Sequence, residues 1–157
     1  MSKYEWALFL HITGVFLLLG GATVAAIFSV AAMRRERPSE VAALLRLTQW
    51  AVVSITLGTL MTLAFGIWLV HIVGYSYGDT WIVLAFVLWI VGSAIGGRGG
   101  RRDKETRLLA ERLAAEGDAP APELQGRLRD PVTLALSWGS GLVFLVVLAL
   151  MVWKPGA

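Results

Sequence analysis

The amino-acid sequence predicts an all-α integral membrane protein, an antiparallel bundle of four transmembrane helices. Hydrophobic residues make up 57% of the 157 positions and charged residues only 16%, whereas about a quarter of the residues in soluble domains are charged. The charges are also absent from four stretches, each close to the length that a helix needs to cross about 30 Å of hydrocarbon. The whole chain, residues 1–157, then forms a single domain. We expect its transmembrane helices at about residues 6–33, 47–73, 81–97 and 131–153.

The first two predicted helices form a hairpin that stays in the mature protein. The apolar run 6–33 is far longer than the roughly 7–15 apolar residues of a signal peptide, so we expect it to be retained. The second helix ends before the loop 74–80, GYSYGDT, which contains no Lys or Arg. The third helix, 81–97, is the shortest and would cross the membrane with little tilt.

The connection between the third and fourth helices, residues 98–130, is polar and rich in arginine. Its sequence DKETRLLAERLAAEG begins at Asp103, which is a plausible N-cap, and repeats leucine one helical turn apart. This pattern predicts a short amphipathic helix in a cytoplasmic loop. The sequence DAPAP at 118–122 ends that helix, and Asp130 followed by Pro131 is a typical start for the fourth transmembrane helix.

Lys and Arg are distributed unevenly between the two ends of the predicted bundle. Twelve of the fourteen lie in the first and third connections, and only Lys3 and Lys154 lie at the other end. Because loops rich in Lys and Arg stay in the cytoplasm, we expect both termini outside a bacterial inner membrane. The basic stretch GGRGGRRDK (96–104) could bind anionic lipid or nucleic acid, but acidic neighbours dilute its charge. We interpret it as a topology signal and expect no nucleic-acid partner.

Small residues mark the places where helices pack in lipid, because they allow two backbones to approach. The second predicted helix carries four of them at four-residue spacing, which we call the packing stripe: Ser54, Gly58, Thr62 and Gly66. The packing stripe could face the protein's own bundle, a second copy of the chain or another membrane subunit. On the first helix, His11 shares a face with Gly14 and Gly21, so we expect it to point into the bundle.

An ionisable residue inside a membrane helix is a functional-site hypothesis by default. His11 is such a residue, and neutral imidazole is a common ligand of haem iron and of other metals. His71 and Met151 are predicted to lie at the same outer level, so either could supply the second axial ligand of a b-type haem. Met151 could instead complete a copper site with His11. The alternatives are an interfacial role for His71, which is opposite the packing stripe, and core filling for Met151.

A purely structural role for His11 is the competing interpretation. Neutral His11 can form a hydrogen bond across helices, to Thr13, Ser140 or a backbone carbonyl, and so stabilise only the packing. The sequence lacks the residues that other kinds of site require. The chain has no cysteine for thiol chemistry, and the predicted helices contain no carboxylate for a proton relay. The serines in these helices have no neighbouring base, which argues against a hydrolase.

Three parts of the sequence resemble a known family: LHITGVFLLLGG (10–21), GDTW (78–81) at the start of the third helix, and the basic connection 98–130. The chain resembles a bacterial family of predicted four-helix membrane proteins of unknown function, which is similar to CopD-like and protoporphyrinogen-oxidase-like membrane proteins. In the protoporphyrinogen-oxidase-like proteins an early histidine is associated with haem, so the resemblance implies a haem-associated role for His11. The further charged intramembrane residues that oxidase activity would require are absent from this sequence.

Two functions are therefore open, and the resemblance favours the first. In the first, the protein holds a b-type haem at His11 near the outer face and acts as an electron-transfer or redox module. In the second, it is a non-catalytic structural or accessory subunit of a larger membrane complex. For both functions we expect the protein to lie in the lipid bilayer, with a second copy of the chain or other membrane subunits as its partners.

Overall fold

The computed structural model of the chain describes residues 2–156, and these residues fold into helices joined by short connections. Four helical stretches in this part of the chain are long and apolar enough to span a membrane, which confirms the predicted fold class. In chain order the helices are α1 (Lys3–Ala32), α2 (Pro38–Val73), α3 (Thr80–Ala115), α4 (Pro122–Leu128) and α5 (Pro131–Trp153).

The spanning helices form two antiparallel hairpins. In the first hairpin α1 lies along α2, and in the second α5 lies along α3; α2 also contacts α3, whereas α1 and α5 barely touch. Both described termini lie at the same end as the connection between α2 and α3, which we call the terminal side. The opposite end comprises the connection between α1 and α2, the last turns of α3, and the whole of α4. We call this end the basic side.

The outer faces of the two hairpins are apolar. Phe16 on α1 is 73% exposed, and Leu142 on α5 is 63% exposed. An apolar surface of this extent suits contact with acyl chains, because soluble monomers rarely expose large contiguous apolar patches.

The expected boundaries of α1 and α5 agree with the structure to within a few residues. Ser2 and Glu5 form a capping box at the start of α1, with the Ser2 hydroxyl accepting from the Glu5 backbone N–H. The predicted start of α5 is confirmed, because Asp130 is the N-cap and its carboxylate accepts from the Thr133 backbone N–H at 2.9 Å.

The expected start of α2 and end of α3 are wrong. Both helices continue beyond the apolar stretches, so that α2 begins at Pro38 rather than near residue 47 and α3 runs without a break to Ala115. Asp103 is therefore an interior residue of α3, and the separate amphipathic helix expected to start there does not exist. The physical reason is that Arg, Lys, Glu, Leu and Ala are good helix formers and no proline interrupts this stretch, so the helix propagates into the polar region.

These extensions build a small core at the basic side, which the sequence interpretation had treated as a loop. Apolar side chains from four elements are buried against one another here. They come from the end of α1, the first turns of α2, the last turns of α3, and α4. The buried members are Ala32, Val41, Ala42, Leu45, Leu109, Ala110, Leu124 and Leu128. We call this cluster the basic-side core, and it holds α4 in place.

Polar contacts close the surface of this core. The carboxylate of Asp118 accepts from both the backbone N–H and the hydroxyl of Ser39, each at 2.7 Å, which ties the α3–α4 connection to the start of α2. The Gln125 side-chain amide donates to the Arg35 carbonyl oxygen at 2.6 Å and ties α4 to the α1–α2 connection. The two hydrogen bonds from Ser39 stabilise the carboxylate, so they hold the pKa of Asp118 below its ordinary value.

Truncating Leu124 will test whether the basic-side core stabilises the fold. Leu124 is fully buried, so we expect Leu124→Ala to reduce the free energy of unfolding by about 2–5 kcal/mol through lost burial and a residual cavity. Unfolding of the detergent-solubilised protein, followed by circular dichroism, measures this change. Leu108→Ala, at a position that is 48% exposed, is the control and should change stability little. Equal effects of the two substitutions would contradict the assignment.

The Asp118 contact predicts a particular pH dependence. Because the folded-state pKa is depressed, the contact contributes its full stability above the ordinary aspartate pKa of about 3.9 and loses it as the pH falls through the lower folded-state value. The Tm of Asp118→Asn should therefore be below that of the wild type at pH 7, and the two should converge in strong acid. A difference that stays constant down to strong acid would show that the carboxylate charge is not involved.

Candidate functional site

The packing stripe lies against α1, so it is used inside the bundle and is not free for a partner. A Cβ atom added at Gly58 would lie 2.6 Å from the Gly14 carbonyl oxygen, and one added at Gly14 would lie 2.7 Å from the Thr62 backbone nitrogen. The Ser54 hydroxyl donates to the Leu17 carbonyl oxygen at 3.0 Å. The two backbones are therefore in direct contact, as expected for small residues at a membrane helix interface.

His11 lies in the same interface, toward the terminal side. Its Nδ1 atom is 2.9 Å from the Thr62 carbonyl oxygen on α2. Because a carbonyl can only accept, Nδ1 carries the proton and donates, and Nε2 keeps a lone pair. A Cβ atom added at Gly66 would lie 3.1 Å from His11 Cε1, so glycine at this position leaves room for the ring. The prediction that His11 points into the bundle is confirmed.

Of the hydrogen-bond partners expected for His11, the backbone carbonyl is the one observed. The Thr13 hydroxyl donates instead to the Phe9 carbonyl oxygen of its own helix at 2.8 Å. The Ser140 hydroxyl donates to the Gly92 carbonyl oxygen at 3.1 Å, where it joins α5 to α3. The prediction that Thr13 or Ser140 is the partner of His11 is therefore wrong, because each hydroxyl donates to a backbone carbonyl oxygen instead.

The structure places His71 and Met151 in different surroundings. The side chain of His71 is exposed on α2, away from the face that contacts α1. Met151 lies in the bundle interior, where it lines a cavity of about 20 Å³ with residues of α1, α2, α3 and α5. The other lining residues are Val15, Leu18, Leu19, Thr62, Trp89, Phe144, Val147 and Leu148. Met151 therefore packs among mostly apolar side chains of the bundle.

The cavity that Met151 lines is small. It is only slightly larger than the space that one water molecule requires, and His11 does not line it. In the described part of the chain, no group of three or more His, Cys, Asp or Glu side chains could hold a metal ion. Haem or copper ligation by His11, His71 or Met151 stays a prediction.

A cation–aromatic cluster on the terminal side was not predicted from the sequence. Its members are Lys154, Tyr75 and Trp81. The Lys154 ammonium group donates to the Tyr75 hydroxyl at 2.8 Å and lies 4.9 Å from the centre of the Tyr75 ring. The Trp81 ring packs edge-on against Tyr75, with ring centres 5.4 Å apart. The fold brings Lys154 back over the α2–α3 connection. The cluster joins the end of α5 to the first residues of α3.

Enlarging Gly58 will test the close contact between α1 and α2. The methyl group of Gly58→Ala would collide with backbone atoms of α1, so the helices must separate, and we expect a loss of about 1–3 kcal/mol in the free energy of unfolding. Gly20→Ala makes the same change on α1 where no atom lies within 4 Å, and it is the control. It should be neutral or slightly stabilising, because alanine is the better helix former. Denaturation in mixed detergent micelles measures both, and an unchanged Gly58→Ala would refute the contact.

Comparison with known proteins places the chain in a family. A family model described as "Predicted integral membrane protein (DUF2269)" matches residues 6–155, from the first turn of α1 to beyond the end of α5. No curated protein and no solved structure gives a significant match. The match supports the expected membrane family of unknown function, whereas the similarity to CopD-like proteins receives no support from it. The chain belongs to the DUF2269 family of predicted integral membrane proteins.

Proposed function

We propose that the protein is a non-catalytic accessory subunit of the membrane, in which His11 is a packing residue. The observation that supports this most directly is the hydrogen bond from His11 Nδ1 to the Thr62 carbonyl oxygen, in an interface where Gly66 accommodates the ring. The imidazole thereby satisfies its polar N–H inside an apolar helix pair, and the cavity in the bundle interior is only about 20 Å³. The apolar outer faces of the hairpins provide the surface for neighbouring membrane proteins.

His11→Leu and His11→Asn separate a packing role from other roles. The Asn side-chain amide nitrogen occupies the position of Nδ1 and can donate to the Thr62 carbonyl oxygen, whereas Leu cannot. Interhelical hydrogen bonds in membranes contribute about 0.6 kcal/mol on average and up to about 1.7 kcal/mol, so His11→Leu should lose stability in this range and His11→Asn should retain most of it. Equal loss in both variants would indicate that the hydrogen bond is not what His11 provides.

A b-type haem bound at His11 is the second candidate function, and one observation favours it. Metal-ligating histidines usually donate their other ring N–H to a carboxylate or backbone carbonyl, as His11 does to Thr62, and this leaves Nε2 available. Such a haem would supply one-electron chemistry, and His11 would hold its iron. The cavity of about 20 Å³ that Met151 lines is too small to hold the porphyrin.

An absorbance spectrum of the purified protein decides between these two candidates. Oxidised and dithionite-reduced samples of wild type, His11→Ala and His71→Ala are compared after expression with added haem precursor. We expect a colourless wild-type protein. A Soret band with reduced α and β bands, lost in His11→Ala and kept in His71→Ala, would overturn the accessory proposal in favour of haem ligation by His11.

We further propose that the basic side faces the cytoplasm of a bacterial cell and that both termini lie outside. The uneven distribution of Lys and Arg supports this orientation. The chain contains no cysteine, so single cysteines can be introduced as topology probes. A membrane-impermeant maleimide should label Ser76→Cys in intact cells and Glu116→Cys only after lysis, since both positions are exposed. The reverse pattern would invert the orientation.

A further inference from the structure

The basic side contains a recess of about 410 Å³ between the α1–α2 connection and α4. Its volume is within the range of about 300–1,000 Å³ that is usual for small-molecule sites. Its wall carries three arginines and one carboxylate, and the rest of the wall is apolar or amide. The lining residues are Met33, Arg34, Arg35, Glu36, Pro120, Ala121, Pro122, Gln125 and Arg129.

The wall of this recess is held in place by the packing beneath it. Gln125 donates to the Arg35 carbonyl oxygen, so α4 and the α1–α2 connection are tied together across the recess. On either side of Gln125 in α4, Leu124 and Leu128 are buried in the basic-side core. The backbone that carries the arginines is therefore held in place by these contacts and is not a free loop.

The positive charge in the recess is only partly neutralised by the protein. Among the described residues, Arg34 and Arg129 form no ion pair, and Arg35 reaches Glu40 only at 3.7 Å. Other arginines on the basic side have closer carboxylates: Arg102 lies 2.8 Å from Asp130, and Arg107 lies 2.8 Å from Glu111. The three arginines that line the recess carry like charges, which repel one another, and Glu36 is the one carboxylate in the same lining. An anion would relieve this repulsion.

We propose that this recess binds a phosphate ester. Guanidinium groups bind phosphate through paired N–H donors, and the lining includes Arg34 and Arg35 of the α1–α2 connection and Arg129 at the end of α4. Met33, Pro120 and Pro122 form an apolar part of the wall that suits the organic portion of such a ligand. The phosphate has two possible sources, an anionic lipid headgroup or a soluble phosphate ester. The proposal does not depend on the role of His11.

Binding to the full-length protein in detergent distinguishes the two sources. In the first arm, native mass spectrometry compares retention of phosphatidylglycerol with that of zwitterionic phosphatidylcholine. In the second arm, calorimetry follows titration with glycerol 3-phosphate and with inorganic phosphate. The test variant is Arg34→Gln with Arg129→Gln, and the control is Arg101→Gln, which removes an exposed arginine outside the recess.

We expect the test variant to bind at least about tenfold more weakly than wild type, because it loses two guanidinium groups and their charge-assisted hydrogen bonds to the phosphate. The control should bind as wild type, and Glu36→Gln should bind more tightly because it removes the opposing charge. A loss confined to phosphatidylglycerol identifies the lipid, and a loss confined to glycerol 3-phosphate identifies a soluble ester. Absence of binding in both arms, or equal loss in the test variant and the control, would overturn the proposal.

Discussion

The structure depends most on the direct contact between the backbones of α1 and α2. Gly58 and Gly14 face each other at a distance that leaves no room for a side chain on either. In a bilayer the lipid tails are as apolar as the helix surfaces, so this contact derives its stability from close packing and a few hydrogen bonds rather than from burial away from water. The placement of His11 follows from it, since the same approach brings the Thr62 carbonyl oxygen to the imidazole.

The two halves of the molecule are stabilised in different ways. Within the apolar spans, buried residues are few and most are small, and polar side chains such as Ser54 and Ser140 donate across helices to carbonyl oxygens. At the basic side, larger apolar side chains such as Leu124 and Val41 form an ordinary hydrophobic core, closed by ion pairs and by the Ser39 to Asp118 hydrogen bonds. This core continues the α2–α3 pair beyond the apolar region and holds α4 against it.

The same division separates the two candidate sites. His11 lies in the tightly packed hairpin, where its imidazole contacts the Thr62 carbonyl oxygen through Nδ1. The arginine-lined recess lies at the basic side, where α4 and the α1–α2 connection leave open space between anchored backbones. Space for a ligand is therefore found where the helices end, and the membrane-spanning part serves mainly as a packed support.

Hydropathy, capping residues and helical periodicity are local properties, and they are enough to predict the fold class, the starts of α1 and α5 and the inward direction of His11. The three-dimensional fold was needed to show that the packing stripe faces α1 and that Met151 lines a cavity between four helices. It also brought Arg34 and Arg129 into one recess. These features depend on contacts between residues far apart in the chain, which no local pattern of residue types records.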